Sequence, residues 1–155
     1  MNRIAILDDN ETWSFALAYV LEQNGFAVSV FSDPSRFLKV ANRFDLALID
    51  FSIVPRRYQR DMNGAQVVCE VVEQLDSPPV LVLISAFFIE GVLAEAICPA
   101  ADTCLSKGMG IHGLIAEVER LLAERQASGK LLAESSVRLR AEVSMQPSMA
   151  VTSER

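Results

Sequence analysis

The chain has 155 residues, of which 51% are hydrophobic, and its formal net charge is -6. This length suits one domain with a single core, and the apolar runs are shorter than the roughly 18 residues that suggest a membrane span. The acidity argues against nucleic acid as a partner, because non-specific binding to phosphates needs basic surface. Residues 1–3 lead directly into a predicted strand without a signal-peptide hydrophobic region, so we expect a cytoplasmic protein with no membrane partner.

Short apolar runs alternate with helical patterns along most of the chain. The predicted strands cover residues 4–7, 26–31, 46–50, 80–85 and 103–106. The predicted helices cover residues 10–24, 34–42, 64–75, 89–97 and 111–126. Asn10 is the expected N-cap of the first helix and Gly25 its expected stop. Five strand and helix units with apolar strands indicate an α/β fold, in which helices cover both faces of a parallel sheet.

The composition changes after residue 126. Gly129 interrupts the helical pattern, and serines become frequent. We therefore expect a domain over residues 1–126 and a flexible tail over residues 127–155 that is largely disordered or partly helical. A helical tail would present one apolar face, suited to a possible homodimer, made of Leu132, Leu139 and Val143.

Residues able to handle a phosphoryl group follow or end three of the predicted strands. Asp8 and Asp9 follow the first strand, Asp50 ends the third, and Lys107 follows the fifth. In an open parallel sheet, ligands bind in the crevice at the carboxyl ends of the strands. Three carboxylates in that crevice would repel one another unless a cation or a raised pKa relieves the repulsion. Mg²⁺ suits the site because it prefers hard oxygen ligands.

A carboxylate beside such a metal can attack phosphorus and form an acyl phosphate. Asp50 is the candidate nucleophile, and Lys107 supplies positive charge. The Ser85 hydroxyl and the backbone N–H of Ala86 are candidate donors to the phosphoryl oxygens. Taken alone, Asp9 would be a helix cap, Ser85 a turn residue and Lys107 a solvated charge. Their joint occurrence at the ends of four strands favours the phosphoryl site.

At these residues the chain resembles the receiver domain of two-component response regulators, which are similar to chemotaxis regulators. The similarity covers about residues 3–124 and implies a flavodoxin-like, doubly wound, five-stranded parallel sheet, (βα)5. The matching segments are, in chain order, Leu7 to Asn10, Asp45 to Asp50, Met62 to Gly64, Ile84 to Ala86 and Ala101 to Lys107.

The resemblance implies that Asp50 is the phosphoacceptor for a histidine kinase or a histidine phosphotransfer protein. It also implies that Mg²⁺ is held by Asp9, Asp50 and the backbone carbonyl of Ser52, with Asp8 acting partly through water. In the same way, Ser85 would be the hydroxyl switch residue. Lys107 would be the phosphate-binding lysine of the site.

No output domain follows the receiver-like segment, so the resemblance implies a single-domain response regulator that signals by contact with a downstream effector protein. Such a protein is not an enzyme with an external substrate, because it catalyses only its own aspartyl phosphorylation and dephosphorylation.

Four features depart from the family pattern. Cys104 occupies the position where the family commonly has an aromatic switch residue. Gly108 replaces the proline that usually follows the lysine, and Ala100 replaces a common glycine. The segment between Asp50 and Gly64 is longer than is common. This enlarged loop carries three arginines that would either contact the phosphate or a partner, or be solvated: Arg56, Arg57 and Arg60.

Two other functions are alternatives. A degenerate receiver would act as a phosphorylation-independent binding scaffold, which the replacements at Cys104 and Gly108 and the enlarged loop suggest. A phosphatase similar to haloacid dehalogenases would also use an aspartate nucleophile. Those enzymes place two aspartates two residues apart after the first strand, whereas Asp8 and Asp9 are adjacent.

The remaining reactive side chains do not point to a site of their own. His112 is the only histidine, and we expect it to be solvated near a helix start. The cysteines are odd in number and lack metal-ligand spacing, so we expect three reduced residues that fill the core: Cys69, Cys98 and Cys104.

Overall fold

The computed structural model describes residues 1–53, 62–86 and 98–145, without the side chains of residues 132–137 and 139–145. The helix predicted over residues 89–97 lies outside the described residues, as do the three arginines of the enlarged loop. The strands are β1 (Arg3–Leu7), β2 (Ala27–Phe31), β3 (Leu46–Asp50), β4 (Val80–Ser85) and β5 (Thr103–Ser106). The helices are α1 (Glu11–Gln23), α2 (Pro34–Val40), α3 (Gly64–Gln74) and α4 (Gly110–Met145).

The five strands form one parallel sheet in the order β2-β1-β3-β4-β5. This confirms the predicted flavodoxin-like, doubly wound α/β fold. β1 and β3 are neighbours, with Leu7 paired to Ile49. Asp8 and Asp50, one residue further along, therefore arrive together at the carboxyl edge of the sheet. Every residue of β3 and β4 is buried, as expected for strands covered on both faces.

Two apolar clusters cover the two faces of the sheet. Ile4 and Ile6 of β1 belong to the cluster that contains Leu17 and Leu21 of α1 and Leu114 and Val118 of α4. The alternate residues of β1 belong to the cluster formed with α2 and α3, which contains Ala5, Leu7, Phe37, Val67 and Val71. Successive side chains of a strand point to opposite faces, so β1 contributes to both clusters.

Capping residues fix the ends of the helices next to the site. Asn10 caps α1 by accepting a hydrogen bond from the Trp13 N–H at 3.1 Å, and Gly25 follows the helix with φ of +89°, as predicted. Asn63 and Gln66 form a reciprocal capping box at the start of α3. The first turns of α1 and α3 are therefore held by local hydrogen bonds.

The last helix is longer than predicted. The prediction that it ends at residue 126, with Gly129 as a break, is wrong, because α4 continues to Met145. A single glycine costs a helix only about 1 kcal/mol relative to alanine, and the flanking Ala, Leu, Glu, Lys and Arg residues are good helix formers.

The chain forms one compact unit over Met1–Leu122 and a second over Ala123–Arg155. A domain boundary at residue 126 stays a prediction.

The cysteines do not all fill the core. Cys98 is buried and Cys104 half-buried, but Cys69 is exposed, so the prediction of a core position is wrong for Cys69. It lies on α3, whose buried face is made by Val67, Val68 and Val71, and one step along a helix turns a side chain by about 100°. Among the described residues, no helix combines the length and the apolar character that a membrane span requires.

Candidate phosphoryl site

The neighbouring strands β1 and β3 bring three carboxylates together at the carboxyl edge of the sheet. Asp8 follows β1 and is fully buried, Asp50 ends β3 and is 5% exposed, and Asp9 is half-buried. One carboxylate oxygen from each of the three lies within 4.8 Å of the others. Asp8, Asp9 and Asp50, which the sequence predicts at the strand ends, therefore form a single cluster of hard oxygen ligands.

Lys107 adds a positive charge to the cluster from the end of β5, the edge strand next to β4. It begins a short 3-10 turn, Lys107–Met109, directly after β5. Its Nζ donates a hydrogen bond to Asp8 Oδ2 at 2.6 Å and lies 3.9 Å from Asp50 Oδ2. One ammonium thus faces two of the three carboxylates, and the cluster keeps an excess of negative charge.

The pKa of Asp50 is raised from 3.8 to about 6. Burial is the largest cause, because it disfavours the charged form, and the negative charge of Asp8 adds to it. The Lys107 ammonium and the backbone N–H of Ser52 act in the opposite direction, while Asp9 raises the pKa further. The site therefore holds an ionised Asp50 at an energetic cost that an additional cation would relieve.

Backbone N–H groups orient both buried carboxylates. Asn10 N–H donates to Asp8 Oδ1 at 2.9 Å, and Ser52 N–H donates to Asp50 Oδ1 at 3.3 Å. In both cases the donor lies two residues after the aspartate, which is the geometry of an Asx turn. The loops after β1 and β3 therefore aim the other oxygen of each carboxylate towards Lys107.

Gly64 lets α3 pack directly on the end of β3. A Cβ at this position would lie 2.8 Å from the Cα of Phe51 and in still closer contact with the Asp50 carbonyl oxygen. The Gly64 N–H also donates to the Phe51 carbonyl at 3.1 Å. The sequence pattern predicted Gly64 only as the start of a helix, so its close approach to the Asp50 backbone was missed.

The other predicted site residues lie on the same edge of the sheet. Ile84 is the β4 partner of Asp50, and its carbonyl accepts from the Phe51 N–H at 2.8 Å. Ser85 is the next residue, ends β4 and is 1% exposed, and Ala86 follows in an exposed turn. Ser52 contributes its N–H to Asp50, while the role of its carbonyl stays a prediction.

One residue near the ammonium was not predicted as part of the site. The Lys107 Nζ lies 4.2 Å from the centroid of the Trp13 ring, in cation–π geometry. Trp13 lies in the first turn of α1 and is half-buried against the apolar cluster on the α1 side of the sheet. Its status as the single tryptophan, placed just after the acidic pair, was the available signal.

The positions that depart from the family pattern are occupied by small side chains. Cys104 and Ala100 are half-buried against the apolar cluster on the α2 and α3 side, and burial raises the pKa of the Cys104 thiol. Gly108 follows Lys107 within the 3-10 turn, where its N–H donates to Ser106 Oγ at 3.0 Å. A side-chain cap therefore supports the turn that carries the lysine.

No family model matches the chain, and no curated protein matches it. Solved structures do match its fold. A Francisella response regulator receiver domain has a TM-score of 0.67 at 21% identity, with 81% of this chain and 99% of that chain covered. A CheY-like receiver domain protein from Methanospirillum hungatei JF-1 has a TM-score of 0.66 at 18% identity, with 83% and 98% covered.

A third match is the BeF3-activated N-terminal receiver domain of RstA from Klebsiella pneumoniae. It has a TM-score of 0.64 at 20% identity, with 78% of this chain and 98% of that chain covered. These TM-scores over most of each chain show a shared fold. The chain therefore has the fold of the CheY-like receiver domains of response regulators.

Proposed function

We propose that this protein is a two-component response regulator that accepts a phosphoryl group on Asp50 in a Mg²⁺-dependent reaction. One observation carries the proposal: Asp8, Asp9 and Asp50 share one cluster, and the Lys107 ammonium lies 2.6 and 3.9 Å from two of them. That combination of hard oxygen ligands and a phosphate-binding cation suits phosphoryl transfer. The proposed location is the cytoplasm.

The donor set fits a magnesium ion. Three carboxylates and one ammonium leave net negative charge in a partly buried crevice, and burial together with the charge of Asp8 raises the pKa of Asp50. Asp8, Asp9 and Asp50 would hold the ion, together with the backbone carbonyl of Ser52. When bound, Mg²⁺ would neutralise negative charge on the carboxylates and on the phosphoryl oxygens.

The residues of the chain divide the transfer between them. A carboxylate oxygen of Asp50 attacks phosphorus while the bond from phosphorus to the donor nitrogen breaks, and the imidazole of a histidine kinase or phosphotransfer protein leaves. The Lys107 ammonium then contacts a phosphoryl oxygen, and the Ser85 hydroxyl and Ala86 N–H donate to others. The acyl phosphate remains on the protein, so no external substrate is turned over.

Phosphorylation by a small acyl phosphate tests the proposal. With acetyl phosphate and Mg²⁺, intact-mass measurement should show uptake of one phosphoryl group by the wild-type protein and none by Asp50→Asn. Asp76→Asn is a matched control, because Asp76 is an exposed aspartate near the start of β4, at the opposite end of that strand from Ser85. Equal labelling of Asp50→Asn and the wild type would refute the assignment.

The second candidate is a degenerate receiver that binds partners without phosphorylation. The small side chains at Cys104 and Gly108 favour it, because a rotating ring cannot report on Ser85 from position 104. Beryllofluoride with Mg²⁺ mimics the phosphoryl group, and we expect it to shift amide NMR signals around Ser85 and Cys104. Binding without any shift in these signals would favour the scaffold over a switch that controls an effector protein or a homodimer.

A further inference from the structure

The side chains around Lys107 form a closed set of contacts that includes Trp13. Asp8 accepts from the Lys107 ammonium through Oδ2 and from the Asn10 N–H through Oδ1. The Asn10 side chain in turn accepts from the backbone N–H of Trp13 at 3.1 Å. The Trp13 ring then returns to Lys107, whose Nζ lies 4.2 Å from the ring centroid. The residues that orient Asp8 therefore also hold the backbone of the helical turn that carries the indole.

Lys107 needs such a restraint more than a lysine in a regular element would. Its side chain has four rotatable bonds and projects from a short 3-10 turn at the end of the edge strand β5. The Trp13 ring is anchored, because it packs against the core at the start of α1. An anchored ring beside a flexible ammonium limits the positions that the ammonium takes.

The indole face restrains the ammonium without using its hydrogen-bond donors. A cation is attracted to the negative face of the ring, and tryptophan is the strongest of the aromatic partners. Lys107 has three N–H donors, of which Asp8 accepts one. The other two stay available for Asp50 and for a phosphoryl oxygen, whereas a further carboxylate partner in place of the ring would occupy one of them.

We propose that Trp13 is a positioning residue that holds the Lys107 ammonium over the Asp8 and Asp50 carboxylates. This role rests on the proposed phosphoryl transfer to Asp50. Trp13 acts through Lys107 and itself contacts no reacting atom. In the sequence, Trp13 stands four residues after Asp9, the second residue of the acidic pair.

Kinetics of phosphorylation by acetyl phosphate at saturating Mg²⁺ test the role. Trp13→Leu should lower the rate about tenfold, because the apolar replacement lacks the negative ring face. Trp13→Phe, which keeps an aromatic face, should recover most of the rate. Phe15→Leu is the matched control, since Phe15 is a 60% exposed aromatic residue on the same helix, and its rate should equal that of the wild type.

NMR of the lysine side chains gives a readout that a loss of folding does not mimic. The chain contains three lysines, so Lys39 and Lys130 serve as internal references. The Lys107 Nζ lies 4.2 Å from the centroid of the indole ring, so the protons on the adjacent Cε should show an upfield ring-current shift. That shift should be smaller in Trp13→Phe and absent in Trp13→Leu.

The outcomes separate the two proposals. If the wild-type protein takes up no phosphoryl group, the proposed function fails, and the role of Trp13 fails with it. If the wild type is phosphorylated and Trp13→Leu reacts equally fast, only the role of Trp13 is overturned. An unshifted Lys107 signal in the wild type would also overturn it, whether or not either variant folds.

Discussion

Replacing Asp50 by Asn should raise the free energy of unfolding by up to about 3 kcal/mol near pH 7 in metal-free buffer. The buried position and the charge of Asp8 raise the pKa of Asp50 from 3.8 to about 6, so the ionised form is less stable in the folded protein than in the unfolded chain. Asn keeps the size of the side chain and removes that charge. The nucleophile is thus maintained at the expense of stability.

The sign of this effect sets its pH dependence. Between about pH 4 and about pH 6 the folded protein binds the proton that the unfolded chain has lost, so wild-type stability falls as the pH rises through this window. Above it the difference between the two proteins is constant, and near pH 4 it should disappear.

Urea unfolding of both proteins with a chelator present measures this difference. Asp76→Asn should show no such gain, since that aspartate is exposed. If Asp50→Asn is no more stable than the wild type near pH 7, the ionised Asp50 carboxylate does not destabilise the folded protein.

Gly64→Ala should lower the free energy of unfolding by about 3 kcal/mol, at the upper end of overpacking effects. The new Cβ would meet the Asp50 carbonyl oxygen and lie 2.8 Å from the Phe51 Cα. Both are backbone atoms, one of the nucleophile Asp50 and one of the residue that follows it, so neither can rotate away. Relief requires α3 or the end of β3 to shift, which would also displace the Asp50 carboxylate and slow phosphorylation.

A matched substitution exists in the same chain. A Cβ at Gly129 would meet nothing within 4 Å, and alanine favours a helix more than glycine does, so Gly129→Ala should be neutral or stabilising. Thermal and urea unfolding of the two variants compare the same chemical change in a crowded and an open position. Equal stability of the two variants would mean that α3 does not pack on the Asp50 backbone as described.

The sheet and the acidic cluster could be predicted because both depend on general rules. Apolar runs separated by helical patterns identify the strands, and ligand residues gather at the carboxyl ends of parallel strands. Asp8, Asp9, Asp50 and Lys107 each stand at such an end, so their meeting follows from strand order. No knowledge of side-chain packing was needed.

The rest of the site depends on tertiary contacts that no local pattern encodes. The cation–π contact of Trp13 joins α1 to the turn after β5, and helical spacing alone makes Trp13 a core residue. The close approach at Gly64 depends on where α3 meets β3, and a glycine at a helix start does not by itself indicate such a contact. Gly129 was misjudged because one unfavourable residue was given more weight than the helix formers around it.

The most direct test of the central claim is to locate the acyl phosphate. Borohydride reduces an aspartyl phosphate to homoserine, which mass spectrometry can place in the sequence after digestion. Protein treated with acetyl phosphate and Mg²⁺ is expected to yield homoserine at position 50, and protein treated without Mg²⁺ none. Homoserine at Asp8, at Asp9 or at any other aspartate in place of Asp50, or its absence from the Mg²⁺-treated protein, would contradict Asp50 as the phosphoacceptor.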